Sequence, residues 1–138
     1  MSQKQTILIL IAEDKEYMQN LIKKYILSNP TKKINNIEIE YDIDVVSSAE
    51  EAVLKYVAAE HDIVIMDLFF NNDVLTGIYA TEEILEVNNN ASIIGMASEG
   101  DFNVEEFKNC GIQYFLEKPF QDAYLWDRTN AILEELLN

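Results

Sequence analysis

Two apolar runs in this chain stop abruptly at carboxylates, and that recurrence constrains the fold more than any other feature. Thr6-Ile7-Leu8-Ile9-Leu10-Ile11-Ala12 ends in Glu13-Asp14, and Ile63-Val64-Ile65-Met66, after the polar lead His61-Asp62, ends in Asp67. Continuous apolar runs rich in β-branched residues read as strands buried on both faces, as in a parallel sheet. An acid that follows such a strand sits at the sheet's carboxyl edge, where open α/β sheets bind ligands. A single acid there is better explained as turn chemistry. Two strands ending alike shift the weight toward a shared site.

The rest of the chain fits the same scheme. Met18, Leu21, Ile22 and Tyr25 recur at helical spacing, and Asn29-Pro30 stops that helix. Thr31 to Asn36 predicts a polar, basic surface loop, poorly tied down. Ile37 to Val46 alternates apolar and acidic residues, the pattern of an edge strand with one wet face. Ser48 and Glu51 have capping-box spacing and open a helix to about Glu60, with Ala52, Val53, Tyr56 and Val57 inward. His61 reads as a plain surface residue. Asn71-Asn72-Asp73 predicts a turn, and Thr76-Gly77 opens a third helix to about Val87. Ser92 to Ala97 is a fourth strand. A brief helix with Val104 and Phe107 inward follows, closed by Cys110-Gly111. Ile112 to Leu116 is a fifth strand. The last helix, about Asp122 to Leu137, carries Leu125, Thr129, Ile132, Leu133 and Leu136 on one stripe. Strand and helix alternate five times, which implies a parallel sheet with helices on both faces and right-handed crossovers.

Length and charge narrow the function. A chain of 138 residues predicts one domain, and its 49% hydrophobic content supplies a core. The formal net charge is −15, with 25 acids against 10 bases, and Arg128 is the sole arginine. That balance argues against nucleic acid and anionic membrane as partners. The acidity serves mainly solubility. One cysteine, Cys110, permits no internal disulfide. No apolar run is long enough for a signal peptide or membrane span, so a cytoplasmic protein is expected.

The strand ends are expected to bring Glu13-Asp14, Asp67, Ala97-Ser98 and Lys118 to one edge. Clustered carboxylates repel and call for a compensating cation. Hard oxygen ligands suit Mg2+. A carboxylate is also a nucleophile toward a phosphoryl group, with a metal and a lysine offsetting the charge on its oxygens. Asp67, on the central strand, is the candidate nucleophile. A metabolic phosphatase or kinase is disfavoured, since Phe69 stands where a second catalytic Asp belongs and the four glycines assemble no phosphate loop. One histidine and one cysteine exclude a zinc cluster.

From about Thr6 to Leu137 the chain resembles a response-regulator receiver domain. The matching residues are Glu13-Asp14, Asp67 in Ile-Val-Ile-Met-Asp-Leu, Gly77, and Lys118-Pro119-Phe120. The resemblance implies a flavodoxin-like (βα)5 sandwich with a parallel five-stranded sheet in the order 2-1-3-4-5. It implies phosphotransfer to Asp67 from a histidine kinase or phosphotransfer protein. Asp14 and Asp67 would hold Mg2+, with Glu13 acting through water and the Phe69 backbone carbonyl completing the ligands. Lys118 would pair with the phosphoryl group, and its bond to Pro119 would be cis. The domain would assist its own phosphorylation and dephosphorylation without being an enzyme proper.

Three departures stand out. The segment from Asp67 to Gly77 is longer than usual and lacks the common proline. Ala97 occupies the switch position that carries Thr or Ser in the family, leaving Ser98, one residue on, as the stand-in hydroxyl. Phe115 takes the switch-aromatic position. With the chain ending at Asn138, output is expected through an unknown downstream protein. The expected output face is that of the fourth helix, fifth strand and fifth helix, with Lys108, Tyr124 and Trp126. The domain would act as a monomer or a phosphorylation-linked homodimer. The competing reading is a phosphorylation-independent adaptor on the same fold, favoured by Ala97 and opposed by the intact Glu13, Asp14, Asp67 and Lys118.

Overall fold

The computed structural model describes residues 3–70, 76–101 and 103–138. The expected turn at Asn71-Asn72-Asp73 lies outside them. In chain order the elements are β1 (Gln3–Ala12), α1 (Glu16–Leu27), β2 (Lys33–Ile34), β3 (Ile37–Val46), α2 (Ala49–Ala59), β4 (Ile63–Asp67) and α3 (Gly77–Val87). There follow β5 (Ile93–Ser98), α4 (Val104–Asn109), β6 (Tyr114–Lys118) and α5 (Asp122–Leu136). Among the described residues no helix is long and apolar enough to cross a membrane.

The sheet has six strands in the order β2-β3-β1-β4-β5-β6. Without β2 this is the expected order. The sixth strand corrects the expectation of five, and it is antiparallel to β3 while the others are parallel. Its cause is the pair Asn35-Asn36, both with positive φ (52° and 64°), between paired Ile34 and Ile37. Two left-handed residues in a two-residue loop make the hairpin turn whose twist suits flanking strands, and asparagine tolerates that conformation best after glycine. The segment read as a loose loop is therefore tied down. Ile34 is buried, and Asn35 Nδ2 donates to the Leu137 carbonyl at 3.0 Å. Asn29 Nδ2 donates to Asn130 Oδ1 at 2.8 Å, and Asn130 Nδ2 to Thr31 Oγ1 at 3.1 Å.

Alternation along the central strands divides the core in two. Leu10, Val64 and Met66 pack with Ala52 and Tyr56 of α2, Ile84 of α3 and Phe107 of α4. Ile9, Ile11, Ile63 and Ile65 pack on the other face with Met18 and Ile22 of α1 and Leu125 and Ile132 of α5. Each such fully buried aliphatic side chain contributes about 1.5–3 kcal/mol. Burial on both faces is why these strands carry no polar alternation and place their polar residues at the ends. Ser48 caps α2 as expected, its Oγ accepting from Glu51 N–H at 3.1 Å. Three inward assignments change: Val57, Val104 and Leu136 are exposed.

β1 begins at Gln3, earlier than expected, because Gln3 to Leu8 extend in register with Ile37 to Asp42. β4 joins β1 only from Ile9. Below that point Asp62 closes the edge, taking Leu8 N–H on its carboxylate at 2.9 Å and donating its own N–H to Leu8 O at 2.8 Å. His61, expected on the surface, is 3% exposed. Its Nε2 donates to Asp44 Oδ2 at 2.7 Å, and its ring lies 6.3 Å from that of Tyr56. The short turn from α2 into β4 drives the ring under the helix end, where a surface position is not available. His61→Ala is expected to cost about 2–4 kcal/mol, the range for emptying a large buried site. A urea midpoint unchanged from the parent would show that the ring is not part of the core.

Candidate functional site

The carboxyl ends of β1, β4, β5 and β6 meet at one edge. Glu13 and Asp14 follow β1, Asp67 ends β4, Ser98 ends β5 and Lys118 ends β6. One oxygen from each of Glu13, Asp14 and Asp67 lies within 4.8 Å of the others. Lys118 Nζ is 2.6 Å from Glu13 Oε1 and 3.4 Å from Asp67 Oδ2. The residues marked from sequence as chemistry-bearing at β1, β4 and β6 are thus drawn into one cluster.

Local bonds fix each member. Glu13 N–H donates to Val46 O at 3.0 Å, and Glu13 Oε2 accepts Asp14 N–H at 2.9 Å. Gln19 Nε2, from the first turns of α1, donates to Glu13 O at 2.6 Å. Asp67 Oδ1 accepts Phe69 N–H at 3.1 Å. Leu68 N–H bonds Met96 O at 2.8 Å, and Gly77 N–H bonds Leu68 O at 3.0 Å. The start of α3 is therefore laced directly to the strand end that carries Asp67.

Glu13 is fully buried and Asp67 is 5% exposed. Burial, and next the Asp67 carboxylate, push Glu13 above the usual carboxylate range, and the bond from Lys118 offsets this only in part. Burial pulls the Lys118 ammonium down, but the bond to Glu13 and the charges of Asp67 and Glu13 outweigh it, so its pKa lies above the ordinary lysine value. Lys118 is thus held as a cation, while the acid cluster retains excess negative charge. Three carboxylates with all-oxygen donors suit a hard divalent cation. The fit rests on this donor set and on the elevated Glu13, which a bound cation would relieve.

A cavity of about 200 Å³ opens over the cluster, lined among others by Asp14, Lys15, Asp67, Phe69, Ser98 and Lys118. Ser98 is exposed on its wall. Ala97 is 1% exposed and packs in the core with Phe107 and Ile112, so the aligned switch position offers no side chain to the cavity. Phe115 is half-buried, its ring 6.0 Å from that of Phe107. The Lys118–Pro119 bond is cis, as expected. Three cavity residues were not singled out in the sequence: Lys15, directly after the acidic pair, Phe70, three residues after Asp67, and Asp101, in the 3-10 turn after β5. For Lys15 the adjacency to Asp14 was the available signal. For Asp101 there was none.

On the expected output face, Tyr124 and Lys108 are exposed. Trp126 is otherwise engaged: its Nε1 donates to Tyr25 O at 2.7 Å, tying α5 to α1.

The sequence matches the response regulator receiver domain family over residues 9–130. No curated protein sequence matches it significantly. Among solved structures, the chemotaxis protein CheY4 of Vibrio cholerae superposes with a TM-score of 0.74 at 17% identity, covering 93% of this chain and 99% of that one. The receiver domain of the sensor histidine kinase PA1611 of Pseudomonas aeruginosa, which holds a magnesium ion in its active-site cleft, gives 0.74 at 24% identity, covering 93% and 98%. The receiver domain of NtrX from Brucella abortus gives 0.75 at 19%, covering 91% and 98%. At these identities the likenesses establish the fold.

Proposed function

The chain belongs to the response regulator receiver domain family, and from that membership we propose that it accepts a phosphoryl group on Asp67 in a Mg2+-dependent reaction and signals through protein–protein contacts. The observation that carries this reading is the convergence of Glu13, Asp14 and Asp67 within 4.8 Å, with Lys118 Nζ 2.6 Å from Glu13 and 3.4 Å from Asp67. A carboxylate oxygen of Asp67 attacks the phosphorus of a phosphohistidine on a histidine kinase or phosphotransfer protein. The P–N bond breaks, the imidazole leaves, and an acyl phosphate forms. Asp14 and Asp67 would ligate Mg2+, with Glu13 behind them and the Phe69 carbonyl alongside, and the ion would neutralise charge on the phosphoryl oxygens. Lys118 leaves its carboxylate partners to bind a phosphoryl oxygen, which gives β6 a contact that differs between the two states.

The test is incubation with acetyl phosphate and Mg2+. An acid-stable, alkali-labile adduct on Asp67 is expected. Its absence leaves the second reading, a phosphorylation-independent adaptor, which the buried and hydroxyl-free Ala97 favours.

Lys118→Ala separates binding from signalling. Removing a cation from the acid cluster takes away a competitor for Mg2+, so metal affinity is retained or tightened. The phosphorylated protein, lacking its link from phosphoryl group to β6, should lose partner response. Calorimetric Mg2+ titration beside a partner-capture assay checks this. A metal affinity that falls further than the response would contradict the role given to Lys118.

A further inference from the structure

Resting on the phosphoacceptor reading above, we infer that Lys15 is a second phosphoryl-contacting cation, a residue that fills the gap left by the missing hydroxyl at Ala97 and draws small anionic phosphodonors into the cavity. A transferred phosphoryl group presents three oxygens that need positive or hydrogen-bonding partners. Lys118 serves one, and the acid-bound cation of the proposed reaction serves another. At the end of β5 the position of Ala97 is buried in the core with no donor group, which leaves the exposed Ser98 hydroxyl, one residue on, as that strand's one side-chain donor on the cavity wall.

Lys15 is the other cation lining that cavity. It occupies the extended cap residue just before α1, with φ −96° and ψ 120°, and its side chain makes no capping bond. It is exposed and forms no ion pair among the described residues, whereas Lys118 is already engaged by Glu13 and Asp67. The remaining charged side chains on the wall, Asp14, Asp67 and Asp101, all repel an incoming anion. On a protein of net charge −15 that repulsion opposes every free phosphodonor. An exposed ammonium on the cavity wall, on the residue next to Asp14, counters it locally.

The experiment compares the parent protein with Lys15→Gln, Lys15→Arg and Lys55→Gln. Lys55 lies on the exposed side of α2, away from the cavity, and its replacement changes net charge by the same amount. The phosphorylation rate with acetyl phosphate and the affinity for beryllofluoride with Mg2+ are measured for each. Lys15→Gln should lose about tenfold in both, the scale of one charge-assisted hydrogen bond. Lys15→Arg should recover most of the loss, and Lys55→Gln should match the parent. Mg2+ affinity without a phosphoryl mimic should not fall in Lys15→Gln, which separates a phosphoryl contact from damage to the acid cluster. Equal values for Lys15→Gln and parent, or an equal loss in Lys55→Gln, overturn the assignment. A parent protein that takes no phosphoryl group at all overturns the phosphoacceptor reading, and this assignment with it.

Discussion

Asp67→Asn is expected to abolish covalent incorporation of phosphate from acetyl phosphate, while the protein folds as before. The substitution keeps the shape of the side chain, so the bond from Phe69 N–H at 3.1 Å has an amide oxygen to accept it. What is lost is the anionic nucleophile. An amide at this position has no charge to drive attack on phosphorus, and Glu13, the neighbouring carboxylate, is sealed in the core behind Lys118. The folded state gains from the change in one respect. The Asp67 carboxylate is one of the groups that pushes Glu13 above the usual range, so removing it relieves repulsion in a buried cluster. The thermal midpoint should therefore stay level or rise, although Mg2+ binding weakens through loss of a ligand. Mass spectrometry of the intact protein after incubation reads the first effect, and a melting curve the second. Phosphate retained on the variant would place the acceptor elsewhere. A sharp fall in midpoint would show that Asp67 is held mainly by Lys118, not by the backbone of Phe69.

The parts of this molecule that the sequence announces are those where one physical demand acts alone. Strands buried on both faces must be apolar throughout, so Ile63 to Met66 could be placed from composition, and their polar termini had to fall at the sheet edge. The convergence of Glu13, Asp14, Asp67 and Lys118 followed from that alternation together with the family resemblance. Elements governed by two demands were misread. Lys33-Ile34 is too short to show a period, and the hairpin there is dictated by two asparagines in the left-handed region, which resemble any polar loop until their φ angles are seen. His61 was assigned by its polarity, but the tight entry from α2 into β4 and the waiting Asp44 carboxylate decide its place. Trp126, placed on the output face, is half-buried there, and its indole N–H goes to the Tyr25 carbonyl of a helix about a hundred residues away in sequence. Lys15 lines the cavity through its place directly after Asp14, whereas Asp101 does so through the 3-10 turn after β5, which neither periodicity nor spacing encodes.

Gly77→Ala should be the most damaging single-methyl change in the described part of the chain. At the first residue of α3, alanine improves helix propensity by at most about 1 kcal/mol. Against that, a Cβ at Gly77 would overlap the Asp67 carbonyl oxygen, with Leu68 Cα 2.6 Å and the Asp67 carbonyl carbon 2.7 Å away. All three are backbone atoms of the strand end, so no rotamer change makes room. Relief requires moving α3 off the sheet, which stretches the 3.0 Å bond from Gly77 N–H to Leu68 O, or displacing Asp67 itself. Overpacking a rigid site costs about 1–3 kcal/mol and more where backbone must shift, and the upper end applies here. Gly100→Ala is the internal comparison. A Cβ there meets nothing within 4 Å, so it should change stability by less than about 1 kcal/mol. Urea unfolding of both variants measures the contrast. Mg2+ affinity of folded Gly77→Ala should fall as well, because the backbone it displaces carries Asp67. Matching unfolding midpoints for the two variants would mean that α3 does not press on the strand as closely as the contacts require, and that the position of Asp67 is set from β4 alone.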